Sequence, residues 1–366
     1  MAVRPVQISR ISGISAAALV VALIFAALAA VLSKAEFASG LGPADWAAIR
    51  FTAVQSVWSA VISTLLAIPI ARALARRRFF GREVLVTLLG APFILPVIVA
   101  VLGLLAVFGR AGWLNAGLGL LGFPAISIYG FQGVVLAHVF FNMPLATRLL
   151  LQAWQTIPSE RFRLAAQLDL TPWAVFRSIE WPMLRQIVPG TAALIFVICL
   201  TSFAVALTLG GGPRATTVEL AIYQAFRFDF DLNRAALLSL VQLVLAGGAA
   251  AVALWIIPAV SLGGGQDRPL RRWDAKGGVQ RVIDAIAIAG GAAFLLLPLC
   301  ALVANGAPGI LAMPASVWTA AGASISVALC SICVLLILAL PLAGWIASAR
   351  RGSAEAVGLF GLAASP

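Results

Sequence analysis

Charged side chains are scarce in this sequence. Asp, Glu, Lys and Arg make up only 10% of its 366 residues, whereas 62% of the residues are hydrophobic. A soluble domain with a single core has too little interior for so many apolar side chains. The composition therefore excludes a soluble globular domain and predicts an all-α polytopic membrane protein.

Cysteine is also rare. The four cysteines, Cys199, Cys300, Cys330 and Cys333, all lie inside apolar runs. This placement is typical of small buried hydrophobic side chains and argues against a disulfide framework. Cys330 and Cys333 have the spacing of a redox or metal-binding pair, but their run holds no histidine or acidic residue, which favours the hydrophobic interpretation.

Motifs for nucleotides and nucleic acids are absent as well. The run Gly210, Gly211 and Gly212 is not followed by the Gly-Lys-Ser or Gly-Lys-Thr of a phosphate-binding loop, which argues against nucleotide binding by this chain. The net charge of +12 comes from arginines in short loops, without a basic groove that carries interleaved aromatic residues. We therefore expect the lipid bilayer, and no nucleic acid, among the partners of this chain.

Eight apolar runs are long enough to cross the ~30 Å hydrocarbon layer, which takes about 20 helical residues. They lie at 14–32, 51–71, 84–108, 128–147, 188–209, 235–257, 282–304 and 317–347. The first run follows Arg4 and Arg10, as a signal peptide would. Its length and the seven later runs favour a helix that is retained.

The basic residues predict how these spans are oriented. Of the 25 Lys and Arg residues, 19 lie at the N-terminus, in three alternate loops and in the tail after residue 347, and six lie in the other four loops. The three basic loops are 72–83, 148–187 and 258–281. Because cytoplasmic loops carry the excess of Lys and Arg, the N-terminus and loop 148–187 are predicted to be cytoplasmic.

Residues 163–182 form a polar, charged interval between two long apolar blocks. Thr171 has the character of a helix N-cap and Pro172 of a first helical residue, so the interval predicts two short helices joined by a tight turn at Asp169. Asp tolerates the left-handed conformation that such a turn needs better than most residues do. A knob of this shape suits docking into a cleft on a soluble partner, and it holds no catalytic constellation.

The spacing of this interval resembles the cytoplasmic coupling loop of binding-protein-dependent ABC transporter permeases. That loop reads Glu-Ala-Ala, three residues, Gly, nine residues, Ile, one residue, Leu-Pro; Arg163 stands here where the family has Glu, and Asp169 where it has Gly. The resemblance implies a MetI-like type I ABC importer permease, a helical bundle. It also implies coupling to an ATPase through Arg163, Ala165, Ala166, Asp169, Phe176, Arg177, Ile179, Trp181 and Pro182.

The visible chain as a whole resembles the thiamine permeases of this family, in which two permease units are fused. The resemblance is carried by residues 76–79, 107–113, 138–144, 164–168, 180–182 and 210–224. It implies inward transport of thiamine or thiamine phosphates across a bacterial inner membrane. A periplasmic binding protein would deliver the substrate, and an ATPase subunit, in two copies, would bind ATP and Mg, so that this chain itself binds no cofactor. Ferric-iron permeases share the two-unit layout and the coupling loop, and they stay an alternative.

Prolines and polar residues inside the spans mark candidates for the translocation path. Pro92 and Pro96 are expected to interrupt the third span and Pro144 the fourth. His138, the only histidine, and Asn142 lie one helical turn apart in the fourth span. Together with Pro144 they are candidates for lining a path, and the alternative is that His138 and Asn142 form hydrogen bonds that hold the bundle together.

The segment after the fifth span is predicted to lie on the outer side. Its glycines and proline form a turn that no helix continues through, and Thr216 is expected to cap a short helix that reaches Gln224. Such a segment could meet a substrate-delivering protein, and the alternative is an ordinary re-entrant loop. The candidate contact residues are Gly210, Gly211, Gly212, Pro213, Thr216 and Thr217.

The chain divides into four parts. Residues 1–50 hold an extra helix and an outer loop, 51–257 a first permease unit, 258–281 a Gly-rich charged linker, and 282–366 the start of a second unit. The region from 317 to 351 repeats the layout of the second span at a shift of about 272 residues. Because the sequence stops inside what would be the next span, we expect a truncated second unit, and an inactive fragment is an alternative.

A function from another class is an intramembrane enzyme that uses His138. Such an enzyme needs a second acid, base or metal ligand set at the same membrane depth. Asp284 is the only carboxylate inside a predicted span, and it lies near the predicted cytoplasmic end of the seventh. The sequence therefore favours a transport permease over an enzyme.

Overall fold

The computed structural model of the chain describes residues 10–34, 40–212, 215–256, 277–310 and 313–348. All regular secondary structure within these ranges is helical. The helices are α1 (Arg10–Leu32), α2 (Pro43–Arg76), α3 (Arg82–Leu88), α4 (Ala91–Ile94), α5 (Val97–Phe108), α6 (Trp113–Leu120), α7 (Phe131–Gln155), α8 (Ser159–Gln167), α9 (Pro172–Val175), α10 (Trp181–Leu200), α11 (Ala204–Leu209), α12 (Val218–Arg227), α13 (Leu232–Ile256), α14 (Gly278–Ile310) and α15 (Ala315–Ser348).

Within the described ranges, eight helical segments are long and apolar enough to cross a membrane, which confirms the predicted number of spans. They are Ser12–Leu32, Pro43–Arg76, Val97–Leu120, Phe131–Gln155, Pro172–Leu200, Leu232–Ile256, Gly278–Gly309 and Ala315–Ala343. The chain is therefore an all-α multi-pass membrane protein.

The prolines of the third and fourth predicted spans have opposite effects. Pro92 is the second residue of α4 and Pro96 is the N-cap of α5, so the third span is divided into three helices as predicted. Pro144 instead lies inside α7, which continues without a break from Phe131 to Gln155. The predicted interruption at Pro144 is therefore wrong. Pro144 and its neighbours Met143 and Ala146 are buried. Packing against other helices therefore keeps α7 helical at the proline.

The core forms around α2 and α7, which pack against each other along most of their length. Helix α7 contributes large buried side chains, among them Phe140, Met143 and Leu150. Helix α2 turns a face of small and polar residues inward, namely Thr52, Gln55, Ser56, Ser59, Ser63 and Thr64. Small residues at a helix interface allow close backbone approach in a membrane, and the polar ones need partners there.

The chain separates into two compact units. In one, α1 packs against α15, and most side chains of these two helices are exposed and apolar, as lipid-facing helices require. The other unit comprises Ala38–Asn305 and contains α2 to α13 with most of α14. Most of the predicted linker 258–281 and the end of the chain after residue 348 lie outside the described residues, so the predicted four-part division stays a prediction.

Candidate functional site

The polar interval folds as a helical hairpin, which we define as residues 159–182. Helix α8 ends at Gln167, Asp169 adopts the left-handed conformation with φ of 45°, and α9 begins at Pro172. The hydroxyl oxygen of Thr171 accepts a hydrogen bond from the backbone N–H of Ala174 over 3.3 Å. The turn at Asp169 and the N-cap at Thr171 are therefore placed as the sequence predicts.

The second arm of the hairpin differs from the prediction of a short helix. Helix α9 passes through a π-helical turn, Phe176–Glu180, directly into α10, which ends at Leu200. The second arm and the fifth membrane span are therefore one continuous helical rod. Single π-helical turns inside α-helices are frequent at functional sites.

A small core holds the two arms together. Phe162 and Ala165 of the first arm pack against Val175 and Ile179 of the second, and all four side chains are buried. Ala165 is 2% exposed, so no larger side chain fits between the arms without moving them. The hairpin therefore has its own packed interior.

The predicted coupling residues divide between the surface and the interior of the hairpin. Ala165 and Ile179 are buried in its core, and Phe176 is half-buried. The exposed ones are Arg163, Ala166, Asp169, Arg177, Trp181 and Pro182. The structure adds three large apolar side chains that the motif did not single out, Leu164, Leu168 and Trp173, which are 56%, 62% and 69% exposed. Large apolar side chains exposed among polar ones, on a segment that is otherwise charged, suit a protein contact surface.

An ion pair connects the hairpin to the core. Nε of Arg72, near the end of α2, donates to Oε2 of Glu180 over 2.6 Å, and the Glu180 side chain is fully buried. The Arg72 guanidinium also lies 4.8 Å from the centre of the Phe176 ring. Sequence reasoning missed this pair, although a glutamate beside an apolar span is itself a signal that a cation lies nearby.

A second ion cluster lies at the same end of α2. Nη2 of Arg76 lies 3.0 Å from each carboxylate oxygen of Asp284, and Nε of Arg77 donates to the same carboxylate over 2.7 Å. Asp284 lies on α14 and is buried. The only carboxylate inside a predicted span therefore pairs with two arginines and is not placed near His138 by any described contact.

His138 and Asn142 lie in a polar layer, which we define as Gln55, Ser59, His138, Asn142, Cys199 and Ser202. Nδ1 of His138 lies 3.3 Å from the hydroxyl of Ser59, and Nε2 lies 2.7 Å from the hydroxyl of Ser202. Nδ2 of Asn142 donates to the His138 carbonyl and to Sγ of Cys199. His138 and Asn142 are buried, so in this conformation both act as links between helices. Their predicted place on a path, with Pro144, stays a prediction.

The segment after α11, which was predicted to lie on the outer side, differs in detail from the prediction. Thr217, not Thr216, caps α12, because its hydroxyl oxygen accepts from the N–H of Leu220 over 3.3 Å. Gly210, Thr216 and Thr217 are buried. Gly211 and Gly212 are exposed with φ of 72° and 124°, while Pro213 lies outside the described residues. Contact of these residues with a substrate-delivering protein stays a prediction.

Among the residues that the structure describes, no group of three His, Cys, Asp or Glu side chains is placed to hold a metal ion.

Comparison with known proteins gives close relatives. No protein-family model matches the chain. The chain is 44% identical over 345 residues to the thiamine transport system permease protein ThiP of Escherichia coli, and 43% identical over 347 residues to ThiP of Salmonella typhimurium. Both alignments cover 90% of this chain and 63% of the relative, so the chain spans somewhat less than two thirds of these proteins.

A more distant relative is covered more completely. The chain is 30% identical over 212 residues to the sulfate transport system permease protein CysW of Synechococcus elongatus, an alignment that covers 54% of this chain and 71% of that protein. The chain belongs to the family of transport-system permease proteins, the membrane-spanning subunits of ABC transporters.

Proposed function

We propose that this chain imports thiamine or thiamine phosphates, as the permease subunit of an ABC importer. The names of the relatives at 43% and 44% identity support the substrate, since both are thiamine transport permeases. The chain carries out no covalent chemistry of its own. Its role is to offer the substrate different contacts in its inward-facing and outward-facing states.

The observation that carries this proposal is the hairpin of residues 159–182. It has a packed interior of its own, and outside that interior it exposes Leu164, Leu168 and Trp173 beside Arg163 and Arg177. A rigid, exposed, mixed apolar and basic surface is suited to a cleft on a soluble subunit. We infer that this subunit is an ATP-binding cassette ATPase, present in two copies, which binds ATP and Mg.

The connection of the hairpin to the bundle suggests how ATP hydrolysis would be used. The second arm continues into α10 without a break, and Arg72 of α2 is bonded to Glu180 at the end of the π-helical turn. Movement of the hairpin with the closing ATPase dimer would therefore move α10 as a lever and pull on α2. Rigid-body rocking of the spans would then switch access from one side of the membrane to the other.

The remaining partners follow from this proposal. A periplasmic binding protein delivers the substrate to the outer face, where Gly211 and Gly212 are exposed. The chain lies in a bacterial inner membrane with its N-terminus and the hairpin in the cytoplasm, in agreement with the 19 basic residues on that side against six on the other.

Uptake of labelled substrate tests the proposal. Cells without thiamine uptake of their own would express this chain with the ATPase and binding protein of a thiamine system, and would be given labelled thiamine or, in parallel, labelled ferric iron. We expect ATP-dependent accumulation of thiamine and none of iron. Accumulation of iron alone, or of neither, would overturn the substrate proposal. Co-purification of the ATPase with the chain tests the coupling role separately.

A further inference from the structure

The fifth span predicted from the sequence, 188–209, is broken after α10, and the break is surrounded by groups that attract cations. Helix α10 ends at Leu200, residues 201–203 are not helical, and α11 begins at Ala204. The C-terminal end of a helix carries a partial negative charge on its last carbonyl groups. In transporters, such ends of discontinuous helices form ion and substrate sites.

The carboxylate of Glu219 lies close to this break. Nε2 of Gln242 in α13 donates both to the carbonyl oxygen of Leu200, over 3.0 Å, and to Oε1 of Glu219, over 3.4 Å. Gln242 therefore holds the Glu219 carboxylate beside the end of α10. It is the tenth residue after the start of α13, which places this contact about 15 Å along that helix.

The Glu219 carboxylate has no cation to balance it among the residues that the structure describes. The ion pairs in these residues involve Arg72, Arg76, Arg77 and Arg234, and none of them reaches Glu219. Burial raises the pKa of Glu219, because the carboxylate loses solvation, and the hydrogen bond from Gln242 offsets only part of that cost. A bound cation would stabilise the ionised form.

Two aromatic rings complete the surroundings of the break. Phe203 lies in the break itself, and its ring meets that of Tyr223 edge-on with centroids 5.1 Å apart. Tyr223 lies one turn after Glu219 on α12, so the carboxylate and the ring share one face of that helix. Phe203, Glu219 and Tyr223 are half-buried residues, so none of the three is fully enclosed by its neighbours. Aromatic faces attract organic cations.

The break also holds a hydrogen-bond acceptor that has no donor in the described part of the chain. The amide oxygen of Gln242 is buried and has no hydrogen-bond partner in the described part of the chain. A buried acceptor without a partner carries a free-energy cost, which a ligand donor would remove. The break thus combines a carboxylate, a helix C-terminus, two aromatic rings and an open acceptor.

We propose that Glu219, Tyr223, Phe203 and Gln242 bind an aromatic organic cation at the break between α10 and α11. If the proposed function holds, on which this inference rests, the ligand is the thiazolium ring that thiamine and its phosphates share. The carboxylate balances the permanent positive charge, the aromatic rings contact the ring faces, and Gln242 accepts from the amino group of the pyrimidine. Glu219 and Tyr223 are then substrate-binding residues.

The test compares charge and ring variants in the assembled transporter. Glu219→Gln keeps the size of the side chain and can still accept from Gln242, but it removes the charge. We expect kcat/KM for thiamine uptake to fall roughly tenfold, as for loss of a charge-assisted contact. Tyr223→Leu should lower it several-fold, and Tyr223→Phe should leave it unchanged, because no described contact uses the hydroxyl.

The control is Glu83→Gln, which removes an exposed carboxylate on α3. Unchanged uptake in Glu219→Gln and Tyr223→Leu, with an active parent, would overturn the site and leave the proposed function standing. If the parent imports no thiamine, the proposed function fails and this assignment of the site fails with it. If the Glu219→Gln protein does not reach the membrane, the comparison of Tyr223→Leu with Tyr223→Phe tests the site instead. Equal uptake by these two variants would contradict the proposed site.

Discussion

Arg72 of α2 and Glu180 at the end of the hairpin form a 2.6 Å ion pair between residues 108 positions apart in the sequence. The glutamate is fully buried and the arginine is 25% exposed. Breaking such a pair by removing one partner costs more than the pair contributes, because the other charge stays in a medium of low dielectric constant. The pair therefore holds the hairpin in a fixed orientation relative to α2.

Replacement of Arg72 should loosen this connection. We expect Arg72→Met to destabilise the protein by about 3 kcal/mol, the lower end of the range for removing one partner of a buried ion pair, and to lower ATP-dependent uptake several-fold. The double variant Arg72→Met with Glu180→Met should regain stability, since no buried charge remains. Thermal unfolding in detergent and uptake in vesicles measure the two effects. Arg78→Met, at an exposed site just after α2, is the control, and equal losses in Arg72→Met and Arg78→Met would count against the pair.

Adjacent alanines in the first arm separate folding from docking. Ala165 is buried in the hairpin core and Ala166 is exposed. Ala165→Phe should force the arms apart and make the hairpin sensitive to protease. Ala166→Phe should leave the hairpin folded but prevent the ATPase subunit from binding to it. Limited proteolysis and ATPase co-purification distinguish the two. Retention of the ATPase by Ala166→Phe at the parent level would contradict docking at this surface.

The turn between the arms depends on a left-handed residue. Asp169 has φ of 45°, a conformation that glycine adopts freely and that costs other residues about 1–2 kcal/mol. We expect Asp169→Gly to leave the stability of the hairpin unchanged or to increase it. Asp169→Val should destabilise it by about 1 kcal/mol, because a β-branched side chain is strained more than Asp in that conformation. Protease sensitivity between the arms reports the result, and equal sensitivity of the two variants would argue against the turn.

Helices α5 and α14 approach each other closely at Gly103. A Cβ atom at this position would lie 2.6 Å from the carbonyl oxygen of Pro298, a backbone atom that cannot rotate away. We therefore expect Gly103→Ala to destabilise the protein by about 1–3 kcal/mol. Gly117→Ala, at a helical position with no neighbour within 4 Å, should stabilise it slightly through helix propensity. The midpoint of thermal unfolding checks both predictions. An unchanged midpoint for Gly103→Ala would contradict the close approach of α5 and α14.

Local features of the fold followed from the sequence. Apolar length alone predicts the eight spans, because a helix must satisfy its own backbone hydrogen bonds in lipid. The turn at Asp169 and the cap at Thr171 depend on residues next to each other in the chain. The cap of α12 was displaced by one residue, to Thr217, since two neighbouring threonines offer the same chemistry.

Contacts between distant parts of the chain could not be predicted from the sequence. The pairs Arg72–Glu180 and Arg76–Asp284 join residues 108 and 208 positions apart, and no local pattern relates them. Pro144 shows the same limit, because it has the character of a helix breaker and yet lies in an intact, buried helix. The surroundings of Glu219 depend on three helices that meet only after folding.

Cysteine labelling at Gln167 tests the central claim, that the hairpin lies on the side of the membrane where the ATPase acts. Gln167 is the last residue of α8 and is exposed, so Gln167→Cys should react readily with a membrane-impermeant maleimide. The parent chain, with its native cysteines, serves as the blank. We expect labelling of Gln167→Cys above this blank in inside-out vesicles and none in intact spheroplasts. Labelling from the outside of intact spheroplasts would contradict the coupling role of the hairpin.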